Sequence, residues 1–222
     1  VAQQIVAIGY GSQAVVIVTG AFTGAVFTFQ SYAKFKEFGF ETTVGAVVSV
    51  ALCRELGPVL AGLMVAGRVG AAMAADIGTM KVTEQVDALR VMGVHPVDYL
   101  VLPRFLAMMI SMPFLVAESI SFGLIASYMV TSFGYDMPSS WYLSHMLDHT
   151  NMEDLSIGMI KGFVFGMLIT LISCHQGLNA ENGAVGVGLG TTRAVVISSL
   201  VLLVVNFFLS ILLNYAFPIG SV

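Results

Sequence analysis

Five long apolar stretches constrain the fold of this chain more than any other feature of its sequence. They cover residues 5–29, 42–75, 105–133, 157–174 and 194–217. An α-helix needs about 20 apolar residues to cross the hydrocarbon core of a bilayer. Strands of a membrane barrel alternate polar and apolar residues, whereas these stretches do not, so their backbone must be satisfied as helices. The sequence therefore predicts an all-α integral membrane protein with five transmembrane helices.

The composition excludes several other classes of protein. Of the 222 residues, 57% are hydrophobic and only 10% are charged, against about 25% charged residues in an average soluble domain. The nine lysines and arginines are outnumbered by thirteen acids, and a formal charge of -4 does not suit a nucleic-acid binder. We interpret residues 1–222 as one domain. Because the first residue is Val1 rather than Met, we expect an upstream segment.

The distribution of basic residues between the connecting loops predicts an orientation. Cytoplasmic loops carry an excess of lysine and arginine. One set of loops holds Lys81, Arg90, Arg104 and Arg193, and the other holds Lys34 and Lys36 among several acids. Placing the first set in the cytoplasm puts the N-terminus inside and the C-terminus outside.

A pair of adjacent charges interrupts the second apolar stretch. Arg54 and Glu55 are followed at once by Gly57 and Pro58, and proline kinks a helix. Two interpretations are open, a self-neutralised pair at a kink or the wall of a cavity that admits water or a polar head group. Adjacent residues on a helix do not face each other, so the two side chains should reach different partners, which favours the cavity.

Three further polar residues lie within the predicted spans, and for each of them we favour a structural role. Lys161 can extend from a span end to the interface. Asn206 is typical of residues that hold two membrane helices together, and Glu118 lies in the third stretch.

The polar segment from about residue 79 to 96 predicts an amphipathic helix. Val82, Val86, Leu89 and either Val91 or Met92 form an apolar stripe. Glu84, Asp87 and Arg90 lie on the other side, and Thr83 or Thr79 could cap the start. Gly93 and Pro96 end the helix. Such a helix can lie flat on the membrane or dock into a groove of a partner, and the residues alone leave both open.

Motifs of catalysis and metal binding are missing from the sequence. It has no G-x-x-x-x-G-K-[ST] motif and no H-E-x-x-H motif, and its four histidines are dispersed. We therefore expect no catalytic residue, no metal site and no cofactor in this chain.

Several sequence blocks together resemble the MlaE (YrbE) permease family. They are RELGPVL at 54–60, AGRVGA at 66–71, MKVTEQVDAL at 80–89, MGVHP at 92–96, PRF at 103–105 and TTRAVV at 191–196. The resemblance extends over essentially the whole chain, from Val1 to Gly220. We expect that the amphipathic helix that precedes the first span in the family belongs to the upstream segment and is missing from these residues.

The resemblance implies a non-enzymatic transporter subunit in the bacterial inner membrane. Members of the family form a homodimer within an ABC-type complex that moves phospholipid between the inner and outer membranes and maintains outer-membrane lipid asymmetry. The implied partners are a cytoplasmic ABC ATPase that binds ATP and Mg, a STAS-domain protein and a periplasmic MCE-domain hexamer.

The resemblance also implies roles for individual residues. The segment near 81–96 would be the coupling helix that meets the ATPase, with Glu84, Asp87 and Arg90 as its charged contacts. The lipid pocket would be lined by Arg54, Glu55, Gln30, Phe27, Phe35 and Phe38. Asn206 stands where some relatives carry an acid that could pair with Lys161, which argues against an ion pair at Lys161.

Two other functional classes compete with a lipid permease. In an ion-coupled secondary carrier or channel, Arg54, Glu55 and Lys161 would form an ion path. The other class is a purely structural anchor that holds a periplasmic ring.

Overall fold

A computed structural model describes residues 2–40, 43–135, 139–181 and 183–217 of the chain, and these residues form helices without any strand. Five of the helices are long and apolar enough to cross a membrane. They are α1 (Ala2–Glu37), α2 (Val44–Val82), α4 (Val97–Gly134), α6 (Met152–Leu178) and α7 (Gly183–Ala216). The shorter helices are α3 (Gln85–Val91) and α5 (Ser139–His149). The predicted all-α membrane fold is confirmed.

The long helices extend beyond the predicted apolar spans. The first helix continues past residue 29 to Glu37, and the second continues past residue 75 to Val82. The glycine-rich segment at 183–192, which precedes the fifth predicted apolar stretch, belongs to α7. Hydropathy marks only the part of a helix that lies in lipid, whereas backbone hydrogen bonding continues into water. The predicted start of the second span at Thr42 lies outside the described residues.

The long helices alternate in direction, which gives the molecule two distinct ends. We call one end the α3 end; it contains the start of α1, α4 and α7 and the end of α2 and α6. We call the other the α5 end; it contains the opposite termini of the same helices.

Small residues allow α1 and α4 to run side by side in the same direction. A Cβ atom on Gly24 would overlap the carbonyl group of Gly123, and one on Gly20 would overlap Ser119. One turn further on, the hydroxyl oxygens of Thr28 and Ser127 are 2.6 Å apart. Small residues at every fourth position bring helix backbones into direct contact in membranes.

The central core lies between α2, α4, α6 and α7. Its fully buried side chains include Met108, Met112, Phe165, Ile169 and Leu202. The outer surface of α7 exposes a row of large apolar side chains, which are Leu200, Leu203, Val204, Phe207, Phe208, Ile211 and Leu212. A water-soluble protein would bury such a surface, whereas lipid or another apolar helix can cover it.

Helix α5 packs against the bundle through Tyr142. This side chain is 2% exposed, and its hydroxyl group contacts that of Ser127. Burial raises the pKa of Tyr142, while the hydrogen bond to Ser127 acts in the opposite direction. Trp141 remains exposed, as suits a residue at a membrane surface.

Candidate functional site

The candidate site begins at a widened turn in α2. Residues Leu52–Leu56 form a π-helical turn, and Gly57 donates its backbone N–H to the carbonyl oxygen of Leu52. Such single turns change the direction of side chains within a helix and are frequent at functional sites. Arg54 and Glu55 both lie in this turn.

Arg54 is buried and its charge is neutralised by an acid from another helix. The side chain is 7% exposed and forms an ion pair with Asp154 in the first turn of α6. A second nitrogen donates to Asn214 Oδ1 of α7 at 2.8 Å. The other oxygen of Asp154 accepts the backbone N–H of Asn151 at 3.0 Å, so this aspartate also caps α6.

Lys161 of α6 is completely buried and donates three hydrogen bonds. Its Nζ atom lies 2.7 Å from the carbonyl oxygen of Arg54. In a regular helix that carbonyl would accept the N–H of the residue four positions later, but this residue is Pro58, which has no N–H. Lys161 therefore satisfies the backbone acceptor that the proline leaves without its normal donor.

The other two bonds of Lys161 lead to Glu55 and α7. Nζ lies 2.8 Å from Glu55 Oε1 and 2.8 Å from Ser210 Oγ. Glu55 also accepts from Asn206 Nδ2 at 3.0 Å and from Ser210 Oγ at 2.8 Å. Despite these three donors, the Glu55 side chain is 41% exposed. One edge of its carboxylate is thus open at the surface of the helix bundle.

The structure confirms one expectation about these charges and corrects two others. Arg54 and Glu55 reach different partners, as expected for neighbours on a helix. The expectation that Lys161 extends to the interface is wrong, because its side chain is fully buried. The argument against an ion pair at Lys161 is also wrong, because Glu55 rather than residue 206 supplies the acid. Asn206 does join α7 to α2.

We call Arg54, Glu55, Asp154, Lys161, Asn206, Ser210 and Asn214 the polar network. It connects α2, α6 and α7 in the half of the molecule that lies toward the α5 end. Three of its members, Asp154, Ser210 and Asn214, were missed by sequence reasoning. A usable signal exists for two of them, since Asn206, Ser210 and Asn214 recur every four residues in an apolar stretch and so share one face of a helix.

The aromatic candidates lie on another side of α2. Phe27 and Phe35 pack around the buried residues Tyr32, Val48 and Leu52. Gln30 and Phe38 are exposed on α1 and just after its end. The structure does not bring these four residues into the polar network, and their contact with lipid stays a prediction.

The predicted coupling segment contains one short helix. Thr83 Oγ1 donates to the carbonyl oxygen of Thr79 at 2.8 Å, so these threonines end α2 and the expectation that one of them caps α3 is wrong. Glu84 has a left-handed backbone (φ 63°) and turns the chain into α3. This sharp reversal separates α3 from the long helix before it.

Charged side chains of the coupling segment bind one another. Asp87 accepts from Lys81 Nζ at 2.9 Å and from Arg90 Nη1 at 2.9 Å. The hydrogen bond from Lys81 lowers the pKa of Asp87, so this carboxylate stays ionised at neutral pH. Glu84 and Arg90 point to solvent.

The apolar side chains of the coupling segment are only partly covered. Val86 is fully buried and anchors α3 against the bundle, as the predicted stripe requires. Val91 is 90% exposed and Met92 is 67% exposed. An apolar patch thus remains open at the end of α3, beside the charged side chains.

Comparison with known proteins places the chain in a family. The sequence model of the family described as Permease MlaE matches residues 1–212. A "Probable ABC transporter permease protein" of Rickettsia felis is 46% identical over 94% of this chain and 80% of its own length. A protein of Synechocystis sp. that is also named "Probable ABC transporter permease protein" is 42% identical over 94% of this chain and 79% of its own length.

A plant protein is similar over the same part of the chain. "Protein TRIGALACTOSYLDIACYLGLYCEROL 1, chloroplastic" of Arabidopsis thaliana is 38% identical over 94% of this chain and 59% of its own length. The family match covers nearly all of the five-helix bundle, including the coupling segment and every member of the polar network except Asn214. The chain therefore belongs to the MlaE permease family.

Proposed function

We propose that this chain is the membrane subunit of an ATP-driven phospholipid transporter that maintains the lipid asymmetry of the outer membrane. The observation that carries the proposal is the open edge of Glu55, a carboxylate held by a buried polar network beside the exposed apolar surface of α7. Charged groups in membrane helices usually border a cavity or a polar pathway. A polar group next to an apolar surface matches the polar headgroup and the apolar acyl chains of a phospholipid.

The lipid pocket forms between two copies of the chain in this proposal. A five-helix subunit is small, and the apolar surface of α7 needs a partner or lipid to cover it. Arg54 and Glu55 supply the polar end of the pocket. The part of the pocket nearer the end of α1 is formed by Phe27, Gln30, Phe35 and Phe38. Because the polar network lies toward the α5 end, a pocket there opens outward when α3 faces the cytoplasm.

Energy for transport comes from a separate chain in this proposal. Moving an acyl chain through water costs about 0.8 kcal/mol per CH₂ group, which calls for coupling to ATP. The cytoplasmic ABC ATPase holds ATP and Mg and docks on the open apolar patch of Val91 and Met92, with Glu84, Asp87 and Arg90 as charged contacts. The permease itself needs no cofactor and catalyses no reaction.

The remaining partners and the location are part of the same proposal. A STAS-domain protein binds on the cytoplasmic side and a periplasmic MCE-domain hexamer receives or delivers lipid on the outer side of the inner membrane. The N-terminus is inside and the C-terminus outside. A lipid substrate is supported by the Arabidopsis relative, whose name refers to a galactosylated diacylglycerol.

The test is ATP hydrolysis by the reconstituted full complex. Phospholipid should stimulate hydrolysis, and stimulation should disappear when this subunit is omitted. Glu55→Gln should reduce both the stimulation and the phospholipid that copurifies with the complex, because the open carboxylate edge is lost. Glu37→Gln is the matched control, since Glu37 is exposed and its ion pair among the described residues is with the neighbouring Lys34. If complexes with the two variants copurify with equal amounts of phospholipid, Glu55 does not line the pocket.

An ion-coupled carrier or channel is the second candidate, and the intramembrane pair of Glu55 and Lys161 is the observation that favours it. In that case vesicles that contain this chain alone should conduct ions without an ATPase, and Lys161→Met should abolish the flux. Lipid-stimulated ATP hydrolysis without ion flux would exclude it.

A further inference from the structure

Two cavities meet at the α3 end of the molecule, far from the polar network. The first has a volume of about 640 Å³ and lies between the loop after α3 and the end of α6. The second, of about 500 Å³, lies between α4, α6 and α7. Val97, His175 and Leu178 line both cavities, so the two adjoin each other. Lys161 of the polar network is 14 residues from His175 on α6, which corresponds to about 21 Å along the helix.

The first cavity is the more polar of the two and favours a negative charge. Arg90, His95, His175 and Asn179 line it, and none of its described lining residues is acidic. Asn179 Nδ2 lies 3.1 Å from His175 Nε2 and holds this imidazole at the rim. Asp87 binds only one terminal nitrogen of Arg90, which leaves donors of the guanidinium group for a ligand.

The second cavity is apolar and leads from the first along the helices. Beyond the shared residues, its surface comes mainly from Val101 of α4, Leu171 and Ile172 of α6, and Ile197 of α7. Leu171 is 48% exposed and Ile197 is 37% exposed, so the cavity opens sideways where lipid chains would lie. An apolar chain in this cavity would gain about 0.8 kcal/mol for each buried CH₂ group.

We propose that the two cavities together bind one anionic phospholipid from the adjacent leaflet, at a site separate from the transport pocket. The phosphate accepts hydrogen bonds from His95 and His175, and charge assistance makes such bonds strong. Arg90, a contact of the ATPase in the proposed function, adds positive charge at the rim. One acyl chain fills the apolar cavity. An inorganic anion would fill only the polar part, whereas an amphiphile fills both. The bound lipid connects the loop after α3 to α6, so it braces the coupling segment.

Photochemical labelling of the full-length permease tests the site without its ATPase. The protein is placed in nanodiscs of phosphatidylcholine that contain phosphatidylglycerol with a photoreactive group on one acyl chain. Labelled peptides should contain residues 97–101 or 171–178, which line the apolar cavity. Phosphatidylcholine with the same photoreactive group should label these peptides at least fivefold less, because its headgroup is neutral.

Two kinds of variant test the two parts of the site. Replacing both His95 and His175 by alanine should lower labelling at least fivefold. The matched control replaces His145 and His149 of α5, a histidine pair at the opposite end of the molecule. Ile197→Trp should block the apolar cavity, whereas Leu200→Trp places the same side chain on an exposed part of α7. Thermal unfolding of each variant shows that it is folded.

Each other outcome would overturn the proposal. If the His95 and His175 double variant is labelled as strongly as the His145 and His149 control, the site does not bind the headgroup as proposed. The same conclusion follows if the two photoreactive lipids label the protein equally, because the site would then not recognise an anionic headgroup. Full competition by millimolar inorganic phosphate would indicate a site for free phosphate only. Loss of labelling on addition of the ATPase would indicate that a protein occupies the cavities. Labelling needs neither transport nor ATP, so its failure is distinguishable from failure of the proposed function.

Discussion

Pro58 explains why a lysine lies completely buried in a membrane-spanning helix of this protein. The proline cannot donate to the carbonyl oxygen of Arg54, and Lys161 Nζ lies 2.7 Å from that oxygen. Membrane helices tolerate proline where another group satisfies the freed carbonyl. Because Glu55 balances its charge in the same place, Lys161 needs no route to water.

Replacing Lys161 by methionine should destabilise the protein strongly. The variant leaves the buried Arg54 carbonyl without its donor, which costs about 1–3 kcal/mol. It also removes the ion pair of the partly exposed Glu55. The free energy of unfolding can be measured by titration with SDS in mixed micelles. Lys34→Met is the control, because the exposed pair of Lys34 and Glu37 contributes only about 0–1 kcal/mol. Similar losses in the two variants would contradict the structural role of Lys161.

Sequence reasoning located part of the polar network for a physical reason. Arg54 and Glu55 stand out because charges are rare in apolar stretches. Asp154 does not stand out, since it lies among polar residues before the predicted span. Its pairing with Arg54 joins residues 100 positions apart, and no local pattern encodes such a contact. The sequence alone also does not show whether the charge of Arg54 is neutralised, because that depends on which residue pairs with it.

At the scale of elements, the contact of α1 with α4 depends on the absence of a side chain at Gly24. Gly24→Ala should destabilise the protein by about 1–3 kcal/mol, the usual cost of overpacking a close contact. The added methyl group would overlap the backbone of Gly123, which cannot move aside as a flexible side chain could. Thermal unfolding in detergent measures the effect.

Gly67 of α2 provides the matched control for this substitution. It also lies inside a long helix, but an added Cβ would meet nothing within 4 Å. Gly67→Ala should therefore leave the unfolding temperature unchanged or raise it slightly, because alanine favours helix. A loss at Gly67 as large as the loss at Gly24 would show that helix propensity, rather than the contact with α4, governs both positions.

Charge reversal in the coupling segment should separate the permease from its ATPase. In the double variant Glu84→Lys and Asp87→Lys, Lys81 and Arg90 lose their shared acid and the segment becomes strongly basic. Copurification of the ATPase with the tagged permease should fall at least tenfold. Asp148→Lys changes an exposed acid of α5 in the same way and should leave copurification unchanged. Undiminished copurification with the double variant would contradict docking at α3.

The type of the long elements was predictable from the sequence, but their first and last residues were not. Five apolar runs were enough to give five spans, because lipid permits few alternatives to a helix. The threonines at 79 and 83 illustrate what was missed. As possible caps they predicted the start of α3, but the helix of the second span continues through Val82, and Thr83 bonds back to Thr79. Whether such a residue begins or ends a helix depends on backbone geometry, here the left-handed turn at Glu84.

At the scale of the whole molecule, the two ends carry different chemistry. The α5 end holds the polar network, and the α3 end holds the coupling segment and the two adjoining cavities. Lipid handling and coupling to ATP are therefore placed at opposite membrane surfaces in the proposed function. A transporter driven by a cytoplasmic ATPase works with this arrangement only if the α3 end faces the cytoplasm.

Labelling of single cysteines tests this orientation. Cys53 and Cys174 are 1% and 2% exposed, so they should react little with a membrane-impermeant maleimide. Asp148→Cys in exposed α5 should be labelled in intact cells, because the proposed orientation places it in the periplasm. Arg193→Cys, exposed near the start of α7, should be labelled only after the inner membrane is opened. The reverse pattern would place the coupling segment outside, where no ATPase could reach it, and the proposed coupling would be wrong even though the five-helix fold would stand.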